Sequence, residues 1–298
     1  MQLSQTQFDI LTILEQEKDK KKLTQRSIAA LLGFSLGTVN KTINHLNEIN
    51  LIKNNTITED GLMVLESYQV KRAIFIAAGF GSRLVPITLN TPKPLVRVKG
   101  IRIIDTVLDA IVNLGINEIY IVRGYLSEQF DQLKYKYPNI IFIENPIYNE
   151  SNNISSMMCV RYLLQNSYVI ESDLLLKNPS IITKYQYTSN YLGISVDRTD
   201  DWCFETQNGI ISKVKVGGCN CHQMIGISYW SKKDGERLNE HIKQVYEMPG
   251  GKERYWDLVP LEYFNKEYAV KIRECSFNDV IEIDTFNELI SIDKSYEI

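Results

Sequence analysis

The sequence predicts a two-part chain, a small helical unit followed by a doubly wound, mainly parallel α/β domain, and three observations carry that reading. From about residue 71 onward, apolar runs of strand length alternate with segments of helical periodicity, the pattern that right-handed crossovers impose on a parallel sheet. The first part instead carries helical stripes and a single short hairpin pattern. At 298 residues with 44% hydrophobic content, the chain is long enough for about two ordinary globular domains. The expected boundaries are 1–70 and 71–298.

In the first part, Phe8, Ile10, Leu11, Ile13 and Leu14 mark one helical stripe. Thr24 opens a second helix that Gly33 closes, and Ser35 caps a third that runs through Val39, Ile43 and Leu46. Residues 51–57 form a hairpin turning at Asn54-Asn55, and a last helix starts near Thr58. This order resembles a winged helix-turn-helix domain, and the passage from Ile57 to Gly61 is similar to the stretch after the wing in bacterial regulators of that type. The third helix would present Asn40, Lys41, Asn44, His45, Asn47 and Glu48, groups that can meet bases but bring few cations. Phosphate neutralisation supplies nearly all non-specific affinity for DNA. Such a face therefore favours docking or homodimerisation, with DNA as the lesser alternative. The basic run at 18–22 reads as a solvated loop.

The second part opens on an apolar stretch, 73–78, read as a buried parallel strand that breaks into Gly79-Phe80-Gly81. A helix over 105–114, closed by Gly115, leads to a strand at 118–122 that ends at Gly124-Tyr125. A helix at 127–135, a strand at 140–143, a polar loop at 145–156 and a helix at 157–164 follow. The next strand ends in Glu171-Ser172-Asp173, and Val280-Ile281-Glu282-Ile283-Asp284 repeats that acid-ended pattern. Ligands of such sheets sit beyond the carboxyl ends of the strands, so the glycine loop and Gly124-Tyr125 are expected on one rim.

Glycines after a strand let backbone N–H groups approach a phosphate closely. Two cations follow at fixed spacing, Arg83 in the loop and Lys93 between two prolines that restrict the backbone. The arrangement suits a triphosphate, although no Gly-Lys-Ser/Thr of a Walker loop is present. The whole stretch 73–95 resembles the GxGxRLxPxTxxxPKPL signature of the nucleotidyltransferases that activate sugar phosphates and phosphocholine. That resemblance implies a nucleotidyltransferase sheet, nucleotide binding by Ala77, Ala78, Gly79, Gly81, Ser82, Gly124 and Tyr125, and catalytic roles for Arg83 and Lys93.

The loop at 145–156 is dense in amides and hydroxyls, groups that either cap the following helix or face a ligand. Its Asn152-Asn153-Ile154-Ser155-Ser156 passage is similar to one near the nucleotide in bacterial phosphocholine cytidylyltransferases and in enzymes that load 2-aminoethylphosphonate. The resemblance implies that Asn153, Ser155 and Ser156 position the pyrimidine and ribose of CTP. Magnesium takes oxygen ligands, and the two acid-ended strands offer them. A strand-end aspartate is ordinarily a turn or cap residue. In the family, however, one aspartate from each such segment holds the metal, which implies Asp173 and Asp284, with Glu171 and Glu282 in support and the choice among these carboxylates open.

Trp202, Trp230 and Trp256 all fall between the two acids, and such residues are ordinarily core. They also supply what a quaternary ammonium needs. The passages around them resemble segments of phosphocholine cytidylyltransferases, which implies an acceptor site at Trp202, Tyr229, Trp256 and Asp257. The function implied is magnesium-dependent coupling of CTP to phosphocholine. Alternatives are 2-aminoethylphosphonate or phosphoethanolamine as acceptor, a sugar 1-phosphate enzyme, and a nucleotide-sensing transcriptional regulator. A net charge of −3 offers no global attraction to nucleic acid, and no apolar run is long enough to span a membrane. The N-terminus has neither the basic start nor the apolar core of a signal peptide, and five unpatterned cysteines read as reduced thiols, so a cytoplasmic protein is expected. Cys219-Asn220-Cys221-His222 is too crowded for an ordinary tetrahedral zinc site.

Overall fold

The structure is a computed structural model that describes residues 2–17 and 23–297; the basic run at 18–22 lies outside the described residues. The chain divides into two compact units: Met1–Gln69 with Tyr185–Tyr187, and Val70–Lys184 with Thr188–Ile298. No helix among the described residues is long and apolar enough to cross a membrane.

In the first unit, α1 (Gln5–Gln16) and α2 (Gln25–Leu32) each begin with a reciprocal cap, Ser4 with Gln7 and Thr24 with Ser27. Gly33 ends α2 in the left-handed region (φ 68°), and Ser35 caps α3 (Leu36–Glu48). A hairpin of β1 (Ile52–Lys53) and β2 (Thr56–Ile57) turns through Asn54 and Asn55, both at positive φ, as a two-residue turn requires. In α4 (Glu59–Glu66), a side chain at Gly61 would lie 2.2 Å from the Leu51 carbonyl, so only glycine fits there. The exposed face of α3 carries the amides and His45 expected of it. Tyr187 completes the unit's core: it stacks on Tyr68 (5.7 Å), packs on Phe8 (5.4 Å) and donates its hydroxyl to the Leu3 carbonyl.

The second unit is an α/β fold with a mainly parallel central sheet. Its strands and helices are, in chain order, β3 (Arg72–Ala77), β4 (Arg97–Val98), β5 (Ile101–Arg102), α5 (Ile103–Asn113), β6 (Glu118–Arg123), β7 (Ile140–Glu144), α6 (Ile154–Val160), β8 (Ser167–Glu171), β9 (Leu174–Leu176), β10 (Asn190–Gln207), β11 (Ile210–Trp230), α7 (Lys232–Glu247), β12 (Lys271–Cys275), β13 (Val280–Glu282) and α8 (Phe286–Ile292). The seven-stranded sheet has the order β10-β12-β11-β8-β3-β6-β7, with β8, β3, β6 and β7 mutually parallel and β11 antiparallel to β8. Successive residues of β3 enter opposite apolar layers. Ala73, Phe75 and Ala77 join α5, whereas Ile74 joins α6 and α7.

Three elements differ from expectation. Residues 127–135 form successive 3₁₀ turns rather than an α-helix. The helix expected from 157 begins at Ile154, which puts Ser155 and Ser156 in its first turn. The passages around Trp202 and Trp230 belong to one long hairpin, β10–β11, that turns at Asn208-Gly209 with both residues at positive φ. Helix α7 seats its first turn tightly: a Cβ at Gly235 would sit 2.4 Å from the Leu164 carbonyl oxygen. Gly235→Ala should therefore destabilise the protein by about 1–3 kcal/mol, the usual cost of overpacking, read as a lower urea midpoint at unchanged slope. A midpoint equal to that of the wild type would show that the contact relaxes freely.

Candidate active site

Two acids far apart in sequence meet because of a small ribbon. β9 follows Asp173 and pairs antiparallel with β13, Glu282 opposite Leu174, and the Ile283 amide then donates to the Asp173 carbonyl (3.2 Å). This register brings Asp284 beside Asp173. Lys93 fills the space between them, its ammonium 2.7 Å from Asp173 Oδ2 and 2.7 Å from Asp284 Oδ1. Arg83, largely exposed, donates to the same Asp284 oxygen at 2.8 Å. Burial pulls the Lys93 pKa down, but the two carboxylates outweigh it, so the net displacement is upward and the side chain stays charged.

The glycine loop leaves β3 as expected. Gly81 adopts φ 68°, and a side chain there would press on Lys93 Cβ at 3.0 Å, so the glycine serves both the turn and the approach of the lysine. Ser82 starts a short 3₁₀ turn that carries Arg83. Gly79, Gly81, Lys93, Asn153, Glu171 and Asp173 line a cleft of about 200 Å³, with Ala77 in its wall. Ala78 is buried, and its carbonyl accepts from the Tyr125 amide (3.1 Å). The Tyr125 hydroxyl donates to the Thr88 carbonyl (2.9 Å), and Gly124 is covered by the Tyr148 ring, which a Cβ would meet at 2.6 Å. The Tyr125 amide and hydroxyl thus brace the loop, and Gly124 and Tyr125 both stay half-buried.

A second cavity of about 370 Å³ adjoins the first and shares Glu171 and Asp173 with it. Trp202, Tyr255, Val214 and Met224 supply apolar lining, and Asp257, Glu282 and Asp284 supply acids. The Trp202 and Tyr255 rings meet edge to face at 5.4 Å. Burial, and then the neighbouring carboxylates, raise the Glu171 and Glu282 pKa values well above the ordinary range. Asp257 is also pushed up by burial, to about 7, although the Tyr191 hydroxyl donates to it (2.6 Å). Glu171 has room only because Gly226 faces it: a Cβ there would stand 2.7 Å from Glu171 Cβ and Cγ.

Four of the expected residues do not line either cavity. Tyr229 lies in the apolar layer beneath the sheet, ring to ring with Tyr168 at 5.9 Å, because strand alternation on β11 turns it into the core. Trp256 is buried against Trp230 (5.9 Å), leaving its chain neighbours Tyr255 and Asp257 to line the pocket. Ser155 and Ser156 are buried in the first turn of α6 and accept from Asn145 Nδ2 at 2.9 and 3.1 Å. Sequence reasoning missed Tyr255, Gly226 and Tyr191. Only Tyr255 left a signal, its place beside Trp256 in the aromatic passage.

The acids suit a hard divalent cation. Glu171, Asp173 and Glu282 can bring carboxylate oxygens within 4.8 Å of one another, as can Asp201, Glu282 and Asp284. Asp173 Oδ1 is buried without a hydrogen-bond partner among the described residues, which leaves a lone pair for such an ion.

Both parts of the chain have counterparts among known proteins. The family described as nucleotidyl transferase matches residues 72–185, and that described as winged helix-turn-helix DNA-binding matches residues 3–53. The chain is 35% identical to the 2-aminoethylphosphonate cytidylyltransferase of Lancefieldella rimae, over 75% of this chain and 92% of that protein. It is 34% identical to the choline-phosphate cytidylyltransferase of Streptococcus pneumoniae, over 73% and 94%. A solved structure of the CTP:phosphocholine cytidylyltransferase from Streptococcus pneumoniae superposes with a TM-score of 0.70 at 31% identity, covering 76% of this chain and 99% of that one.

The Asp257 environment predicts a pH dependence. Between its ordinary value of 3.8 and about 7, the folded protein holds a proton there that the unfolded chain has released. The group's contribution to stability is fully present below about pH 4 and is lost as the pH rises toward 7. Asp257→Asn retains an acceptor for the Tyr191 hydroxyl and should flatten that fall, measured as urea midpoints from about pH 4 to 8 on ligand-free protein. Parallel curves for the two proteins would exclude Asp257 as the titrating group.

Proposed function

Because the chain belongs to the nucleotidyl transferase family and has cytidylyltransferases as its relatives, we propose that it joins CTP to phosphocholine in a magnesium-dependent reaction, giving CDP-choline and pyrophosphate. The observation that carries this reading is the pair of adjoining cavities sharing Glu171 and Asp173, one with the glycine loop and Lys93, the other with aromatic and aliphatic walls among acids. The acceptor already bears a phosphate, so one of its oxygens attacks the α-phosphorus of CTP directly. The new P–O bond forms as the bond to pyrophosphate breaks, and no side-chain nucleophile is needed. Backbone N–H groups of the 79–83 loop and the Arg83 guanidinium bind the β and γ phosphates. Lys93, kept charged by its two aspartates, offsets negative charge near the reacting phosphorus.

Asp173 and Asp284, with Glu171 and Glu282 beside them, would hold the magnesium ion. When bound, it supplies positive charge to the α-phosphate and the departing pyrophosphate. The positive nitrogen of the acceptor offsets the acids of the second cavity, while Trp202 and Tyr255 offer ring surfaces worth about 2 kcal/mol to a desolvated quaternary ammonium. A primary amine, as in 2-aminoethylphosphonate or phosphoethanolamine, is the second reading. The crowding of carboxylates favours it, since each N–H needs an acceptor. For the winged unit the amide-rich face of α3 supports docking or homodimerisation ahead of DNA binding.

Two measurements test this. With CTP fixed, phosphocholine should exceed 2-aminoethylphosphonate in kcat/KM; a preference of about tenfold or more for the primary amine would replace the choline assignment with the second reading. Lys93→Ala should lower kcat by about 10²–10³-fold at saturating CTP, as loss of a preorganised charge does in other enzymes. Near-normal turnover would remove Lys93 from the chemistry.

A further inference from the structure

Two segments that line different cavities are clipped together. The Ser151 hydroxyl donates to the Lys252 carbonyl (2.7 Å), the Asn152 amide to the same carbonyl (2.8 Å), and Asn152 Nδ2 to the Glu253 carbonyl (3.2 Å). Asn153 Oδ1 then accepts from the backbone N–H of Trp256 (2.9 Å), 103 residues away. Asparagine at a helix start ordinarily caps its own helix, yet Asn153 makes no side-chain cap on α6. Its carbonyl oxygen holds Trp256 instead. That residue is well chosen as an anchor: its indole is buried against Trp230, and its chain neighbours Tyr255 and Asp257 line the second cavity. Asn153 itself lines the first cavity, and its Nδ2 donates to no partner among the described residues.

Resting on the proposed reaction, we infer that Asn153 is a positioning residue that couples the two cavities. Its carbonyl fixes the strap carrying Tyr255 and Asp257, while its free N–H donors meet an oxygen of the nucleotide. A nucleotide that orients the carboxamide therefore also orders the amine site, and the two ligands strengthen each other's binding reciprocally.

Titration calorimetry on the full chain with magnesium tests this, using phosphocholine and 2-aminoethylphosphonate as probes, each with and without saturating α,β-methylene-CTP. Wild-type protein should bind its preferred amine about tenfold more tightly with the nucleotide present. Asn153→Asp keeps the oxygen for Trp256 but loses the donors, so the nucleotide should no longer tighten its binding of the amine. Asn153→Ala should lose the tightening and also bind the amine alone more weakly. Ser151→Ala, which removes the hydroxyl's bond to the Lys252 carbonyl and no contact of Asn153, should weaken amine binding while leaving the affinity for the nucleotide unchanged. Equal amine affinity in both conditions for wild type, or full tightening in Asn153→Asp, would overturn the coupling alone. Binding of the nucleotide but of neither amine would overturn the substrate reading, and the coupling with it.

Discussion

Lys93 is nine-tenths buried, and the two carboxylates that hold it charged, Asp173 and Asp284, are brought together only by the register of the β9–β13 ribbon. An ammonium removed from water without such partners would give up its proton, so the lysine, the two acids and the ribbon form one dependent set. A small apolar cluster fixes that set in place. Leu84 from the glycine loop, Val96 from the lysine segment, Ile283 from the ribbon and Leu289 from α8 meet there. The glycine loop, Lys93 and Asp284 are therefore registered against one another by packing, which is the preorganisation that electrostatic catalysis requires.

The second cavity faces the opposite problem, an excess of negative charge, part of it buried. Glu171, Glu282 and Asp257 respond by holding protons at higher pH than free carboxyls do. Such a site is short of cations, and both a divalent metal at its shared wall and a positively charged amine at its apolar end would supply them. Gly226 belongs to the same logic. By leaving room on β11, it lets the Glu171 side chain stand at the boundary of the two cavities. Charge balance therefore links the two cavities more directly than any shared backbone element.

The first unit shows how a domain can depend on residues outside its own stretch of chain. Tyr185–Tyr187 belongs to it, and Tyr187 closes an aromatic cluster with Phe8 and Tyr68. The Tyr68 hydroxyl accepts from the Leu3 amide and the Tyr187 hydroxyl donates to the Leu3 carbonyl, so one extended residue is held at both its polar groups. The linear boundary near residue 70 includes neither Tyr185 nor Tyr187, because nothing in their local composition points back to the start of the chain.

The fold class, the glycine loop, Arg83, Lys93 and the two acid-ended strands were legible in the sequence, because each depends on local physics: period-two and helical apolar patterns, glycine where the backbone must turn, proline where it must stay extended. Which side chains face a cavity was decided only by tertiary packing. Tyr229 and Trp256 have the chemistry of an ammonium site, but β11 alternation and the Trp230 contact turn them inward, and Tyr255 takes the pocket position instead. Ser155 and Ser156 have the chemistry of ligand contacts, yet the earlier start of α6 commits them to Asn145. Asn153 was visible as a polar group of the 145–156 loop, whereas its bond to Trp256 spans 103 residues and exists only in the folded chain. Residue types and short-range spacing fix what chemistry a segment can perform; contacts between distant segments fix where each side chain points, and no local pattern encodes them.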